Sequence, residues 1–112
     1  MRGITTHVLD TARGRPAAGM RVVVEARTGD GWTGVGGGVT DADGRVPGLV
    51  APGTIRAGVH RLTFATGEWF EAEGVVGFYP LVTVVCRIED PDVHHHVPLL
   101  LSPYGYSTYR GS

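Results

Sequence analysis

Glycine and proline interrupt this 112-residue chain so often that no long helix fits: there are 18 glycines and 7 prolines. Punctuation at that density suits many short strands joined by turns. The apolar residues point the same way. Valine occurs 16 times and leucine 7 times, and β-branched side chains suit a pleated surface while losing rotamer freedom in a helix. One domain spanning residues 1–112 is expected, because domains typically run ~100–150 residues. A compact chain of this length should have a radius of gyration of roughly 13 Å.

Charge and cysteine content narrow the function classes. Eleven acids stand against ten basic residues, for a formal net charge of −1. No basic stripe appears, so no nucleic-acid partner is expected. All ten basic residues are arginine, which excludes a Schiff-base or P-loop lysine. Cys86 is the only cysteine, so neither an intrachain disulfide nor a multi-cysteine zinc site can form. It lies in an apolar run and reads as a buried core thiol. Residues 1–9 lack the apolar stretch of a signal peptide. The longest apolar runs, such as residues 81–86, fall far short of the ~20 residues that span a bilayer. A soluble cytoplasmic protein with no membrane association is the expectation.

Alternation locates the strands. Residues 4–9 place Ile4, Thr6 and Val8 on one face and Thr5, His7 and Leu9 on the other. In residues 20–26, Met20, Val22, Val24 and Ala26 share a face while Arg21 and Glu25 alternate with them. Residues 32–39 form a third strand, and its glycines predict a bulge or a close approach of another backbone. TDADGR (residues 40–45) is a turn, with Gly44 supplying a positive φ. Residues 56–65 alternate again. Residues 66–74 hold the only credible helix, with Thr66 as its N-cap and Gly74 as its stop. Residues 81–88 read as a strand buried on both faces. Residues 94–101 are a last long strand, with Pro98 at an edge or bulge. The total is a mainly β protein: a two-sheet antiparallel sandwich of seven to eight strands with one short helix. The tail, residues 102–112, carries Tyr104, Tyr106 and Tyr109. Such residues are costly to leave in water, so the tail should pack on something.

Histidine is the informative residue type. In the triplet His94, His95 and His96, the first and third face one side of a strand and the second faces the other. Three uses stay open for them. His94 and His96 could form a metal half-site with His7 as third ligand; they could be hydrogen-bonded within the sheet; or they could do acid–base or substrate-binding work, since a histidine with a pKa of ~6.5 is mostly neutral at pH 7. His60 reads as a sheet histidine. Arg45 alone is a solvated turn residue, Arg110 alone a terminal charge, and Trp32 and Trp69 are packing residues. No nucleophile elbow, phosphate loop or paired-carboxylate site stands out.

Three stretches resemble a known family. THVLDTARGRPA (residues 6–17) resembles the transthyretin-type opening motif, and TDADGR is similar to the second landmark. HVPLLLSPYGYSTYRGS (residues 96–112) is similar to the third, ending in Tyr109, Arg110, Gly111 and Ser112, the tetrapeptide that marks 5-hydroxyisourate hydrolases within the transthyretin superfamily. The resemblance spans nearly the whole chain. It implies a transthyretin-like sandwich assembled as a homotetramer, a dimer of dimers, that serves urate degradation without metal or other cofactor. The implied reaction is hydrolytic ring opening of 5-hydroxyisourate to 2-oxo-4-hydroxy-4-carboxy-5-ureidoimidazoline. By resemblance, the catalytic positions are His7, Arg45, His96 and Ser112, and His7, Arg45, Tyr109, Arg110 and Gly111 bind substrate. The residue chemistry suits the task. His7 or His96 can activate a water, and the Arg45 guanidinium can face the growing oxyanion. Two positions depart from the family pattern: His95 stands where tyrosine is usual, and Leu81 where glutamate is usual.

Overall fold

The computed structural model describes residues 3–111. In chain order the elements are β1 (Gly3–Thr5), β2 (Val8–Asp10), β3 (Arg15–Pro16), β4 (Arg21–Thr28), β5 (Gly31–Val39), β6 (Gly58–Phe64), α1 (Thr66–Ala72), β7 (Val82–Ile88), β8 (His94–His96), β9 (Leu99–Ser102) and β10 (Gly105–Thr108). One four-stranded sheet runs β5-β4-β6-β7, a second runs β10-β9-β2-β3, and β1 pairs with β8. Val22, Val24, Leu62, Phe64 and Ile88 from the first sheet meet Val8, Leu99 and Leu101 from the second in one core cluster. Each such fully buried side chain contributes roughly 1.5–3 kcal/mol relative to exposure. The radius of gyration is 13.6 Å. Among the described residues no helix is long and apolar enough to cross a membrane.

The mainly β sandwich with a single short helix is the architecture expected, but its pairing differs. The β5-β4-β6-β7 sheet is antiparallel throughout. In contrast, β1 runs parallel to β8, and β2 runs parallel to β9. Both long strands expected at the two ends of the chain are broken at the same level. The first is interrupted at Thr6 and His7, the second at Val97 and Pro98. Proline has no N–H to donate to a ladder. The chain stays in step because Val97 N–H donates to the Thr5 carbonyl and Leu99 N–H to the His7 carbonyl, at 2.8 and 2.9 Å.

Other expectations need correction. The strand at residues 81–88 is not buried on both faces: Val82 and Ile88 point into the core, whereas Val85 is 60% exposed on the outer side. Cys86 on the same strand is half-buried rather than a full core thiol, and burial pushes its pKa up. Thr66 does not cap the helix. The N-cap is Ala65, without a side-chain bond, and the Thr66 hydroxyl donates instead to the Tyr79 carbonyl at 2.7 Å. Within the tail, Gly105–Thr108 form β10, paired antiparallel with β9; Tyr106 stacks edge-on against Tyr79 with centroids 5.1 Å apart, whereas Tyr104 and Tyr109 stay exposed.

The glycine-rich β5 admits a second backbone. A Cβ on Gly36 would overlap the Leu49 carbonyl oxygen. The absent side chain lets the segment after the Gly44 turn lie across the strand, held by Gly37 N–H donating to the Leu49 carbonyl at 2.9 Å. That close approach is what glycines in this strand predicted. It carries residues 46–50 over the sandwich and builds one wall of a cleft.

Candidate active site

The TDADGR turn is self-closed. Asp41 Oδ1 accepts the N–H groups of Asp43 and Arg45, at 2.9 and 3.1 Å. Gly44 takes φ +78°, in the region where a side chain is strained. The turn is then clamped onto the start of β2. Val8 N–H donates to the Gly44 carbonyl at 2.8 Å, and His7 forms an isolated antiparallel bridge with Arg45. His7 Nε2 lies 2.7 Å from the Asp43 carbonyl oxygen. A carbonyl can only accept, so Nε2 carries a proton. Two remote stretches, the opening motif and the turn, thus deliver His7 and Arg45 side by side.

His96 arrives from the parallel pair. The register of β1 against β8 sets Thr5 opposite His96 and Gly3 opposite His94. The Thr5 hydroxyl consequently sits between two imidazoles, 2.8 Å from His96 Nδ1 and 2.6 Å from His94 Nε2. Thr5, Asp41, Arg45, His94 and His96 line one cleft of about 920 Å³, with Val46, Pro47, Leu49, Val50 and Pro52 supplying apolar surface. A ring with polar edges fits such a mixed lining. The pKa of His96 is pushed down from the ordinary histidine value, first by burial, then by the charges of His94, Arg45 and His7. The imidazole is therefore held neutral at pH 7 and able to accept a proton.

The C-terminal residues divide. Gly111 comes back to the site: its N–H donates to the His96 carbonyl at 2.7 Å, and a Cβ there would lie 2.7 Å from His96 Cδ2. Tyr109 and Arg110 do not line the cleft within this chain. They border a separate hollow of about 300 Å³, together with His95 and the outer part of β7. Ser112 lies outside the described residues.

The two departures from the family pattern are placed as well. His95 is buried and turned away from His96, donating Nδ1–H to the Val93 carbonyl at 2.7 Å. Leu81 is exposed. Among the described residues no three His, Cys, Asp or Glu side chains group to hold a metal ion, and His7 Nε2 already binds a carbonyl.

The sequence did not mark Thr5 as a site residue, and for His94 it left a metal half-site, a sheet hydrogen bond and acid–base or substrate-binding work all open. The signal was partly there. Alternation puts Thr5 and His7 on one face, and an adjacent His-x-His strand invites a hydroxyl between its rings. The apolar wall at residues 46–52 had no local pattern to announce it.

The pattern that describes the HIUase/Transthyretin family matches residues 4–111. The 5-hydroxyisourate hydrolase of Caulobacter vibrioides is 47% identical over 116 residues, covering 100% of both chains. Among solved structures, the 5-hydroxyisourate hydrolase of Klebsiella pneumoniae superposes with a TM-score of 0.85 at 34% identity, covering 97% of this chain and 98% of that one. Transthyretin from Sparus aurata superposes with a TM-score of 0.93 at 32% identity, covering 99% and 97%. Sequence and backbone agree along nearly their full length, and the chain belongs to the HIUase/Transthyretin family.

Proposed function

We propose that this chain is a 5-hydroxyisourate hydrolase that opens the lactam ring to give 2-oxo-4-hydroxy-4-carboxy-5-ureidoimidazoline. The observation that carries the reading is that Arg45 and His96, from distant stretches, line one cleft, with His7 bridged to Arg45 beside it and His96 kept neutral. His96 is the better candidate for the base. Its Nδ1 is engaged by Thr5, which leaves Nε2 for a water. As the water oxygen bonds to the lactam carbonyl carbon, its proton passes to Nε2 and negative charge grows on the carbonyl oxygen. Arg45 faces that charge with its fork of donors. Collapse of the tetrahedral species breaks the ring C–N bond, and the proton moves to the departing nitrogen. His7, fixed in one tautomer by the Asp43 carbonyl, orients Arg45 and contacts substrate. Gly111 brings the tail against His96. Tyr109, Arg110 and Ser112 complete the substrate contacts at a subunit boundary of a homotetramer. That assembly is supported by β7 and β10, which stand at the edges of their sheets, and by the exposed apolar Leu81, Val85 and Tyr104.

A transthyretin-type carrier is the second reading, favoured by the backbone likeness to the Sparus aurata protein. A carrier of apolar ligands has no use for a neutral imidazole facing a guanidinium. The test is direct: generate 5-hydroxyisourate with urate oxidase and follow its ultraviolet decay. Acceleration on adding the protein supports the hydrolase. Decay at the spontaneous rate overturns it and leaves the carrier.

A further inference from the structure

Of the five histidines, three are locked by carbonyl acceptors. His7 donates to Asp43, His60 to Gly58 and His95 to Val93. Among the described residues, only His94 and His96 have a partner that can either give or take a proton, and it is the same partner, the Thr5 hydroxyl. A hydroxyl has one proton. It cannot donate to both rings, so at least one ring must present an N–H to it. The tautomer of each imidazole is thereby tied to the other. The ring centroids are 6.2 Å apart, so the connection runs through Thr5.

We propose that Thr5 is a positioning residue that joins His96 to His94 in a proton relay, making His94 the resting place of the charge that catalysis generates. The inference rests on the hydrolase reading and deepens it. In the base-competent arrangement, His96 Nδ1–H donates to Thr5 Oγ1 and the Thr5 O–H donates to His94 Nε2. When His96 Nε2 takes the proton of the attacking water, its Nδ1 proton moves to Thr5 and the hydroxyl proton moves to His94 Nε2. His96 ends neutral with a proton on Nε2, and His94 carries the positive charge. As the ring C–N bond breaks, the Nε2 proton goes to the departing nitrogen and the two relay protons return. No proton is gained or lost over the cycle.

The surroundings give the relay a purpose. His96 is faced by His7 from the start of β2, by Arg45 and Asp41 from the turn, and by His94 from its own strand. His7, Arg45 and His94 push against a cation on His96, and Asp41 is the one acid lining the cleft among the described residues. An imidazolium lodged on His96 would be repelled by Arg45 and His7; moving the charge to His94 relieves that. The same exchange lets His96 switch from base to acid within one turnover.

The test pairs kinetics with nitrogen-15 NMR of histidine-labelled protein. Thr5→Val keeps shape and removes the hydroxyl; Thr5→Ser restores it. Thr5→Val should lower kcat about tenfold or more, within the ~10²–10⁴ that acid–base help supplies, with KM changed less than about twofold. Thr5→Ser should recover most of the loss. His94→Gln can still bond the hydroxyl but cannot hold a proton, and should also lower kcat. By NMR, neutral His96 should carry its proton on Nδ1 and neutral His94 should leave Nε2 bare in the wild type, and this pairing of tautomers should be lost in Thr5→Val. Wild-type kcat in Thr5→Val or His94→Gln, or failure of Thr5→Ser to recover, overturns the relay. So does any other pairing of tautomers in the wild type. Should Thr5→Val not fold, Thr5→Ser, His94→Gln and the wild-type tautomers still decide. If the wild type has no turnover at all, the hydrolase reading fails, while the NMR arm still judges the coupling.

Discussion

Replacing Gly44 by alanine attacks the clamp that brings Arg45 to His7. The geometry predicts two separate effects. Gly44 has φ +78°, and holding an L residue there costs roughly 1–2 kcal/mol. A Cβ would also sit inside 3.0 Å of the Val8 carbonyl oxygen and 3.1 Å from the Pro16 Cβ. Both neighbours belong to the packed β2–β3 hairpin, so the turn must back away. Two hydrogen bonds are then at stake, Val8 N–H to Gly44 and His7 Nε2–H to Asp43, at about 1 kcal/mol each. The combined loss is about 3–4 kcal/mol. Gly14 supplies the control: its φ is +70°, but a Cβ there meets nothing within 4 Å. Gly14→Ala should therefore lose only the conformational part. Urea unfolding at one protein concentration should separate the two variants by about 2 kcal/mol. Displacing an oxyanion donor lowers kcat by ~10²–10³, so Gly44→Ala should be crippled in the ultraviolet decay assay while Gly14→Ala is not. Equal stability of the two variants together with full activity of Gly44→Ala would refute the clamp.

Four further outcomes are expected. His96→Asn keeps size and polarity but removes the base, and should lower kcat by ~10²–10⁴; full activity would remove His96 from the mechanism. Because the neutral form of His96 is the active one and its pKa is depressed, activity should persist below the ordinary histidine range and be lost only as pH falls through the lowered value. Arg45→Gln removes one of the charges that depress it, so the acid limb of kcat/KM should move to higher pH while the rate falls; a limb that stays in place would contradict the contact between these groups. Deleting Tyr109, Arg110, Gly111 and Ser112 should abolish turnover without unfolding the protein, judged by circular dichroism, and retained turnover would take the tail out of the site.

The strand pattern was legible wherever it depends on adjacent residues. The burial alternation from Ile4 to Asp10, the inward Val22 and Val24, and the inward Leu62 and Phe64 all follow from the two-residue period of a strand. Turn chemistry is just as local: Asp41 bonding its own backbone and the positive φ of Gly44 could be read from TDADGR. The helix cap could not. Thr66 has the right chemistry for an N-cap, but the Tyr79 carbonyl is a nearer partner in three dimensions. Likewise, residues 81–88 are apolar enough for a doubly buried strand, yet β7 turns only one face to the core and leaves Val85 on the outer face.

Residue types in this chain already excluded lysine chemistry and multi-cysteine sites, since it has no lysine and a single cysteine. They also placed His94 and His96 on one face and His95 on the other, because side-chain direction in a strand is a property of the backbone itself. Which groups meet was decided by pairing between remote segments. The parallel register of β1 against β8 puts the Thr5 hydroxyl between two histidines, and the bridge from His7 to Arg45 closes the other side of the site. A shift of one residue in either pairing would turn these side chains to the opposite face. That register is held by the whole core, so no short stretch of the chain contains it.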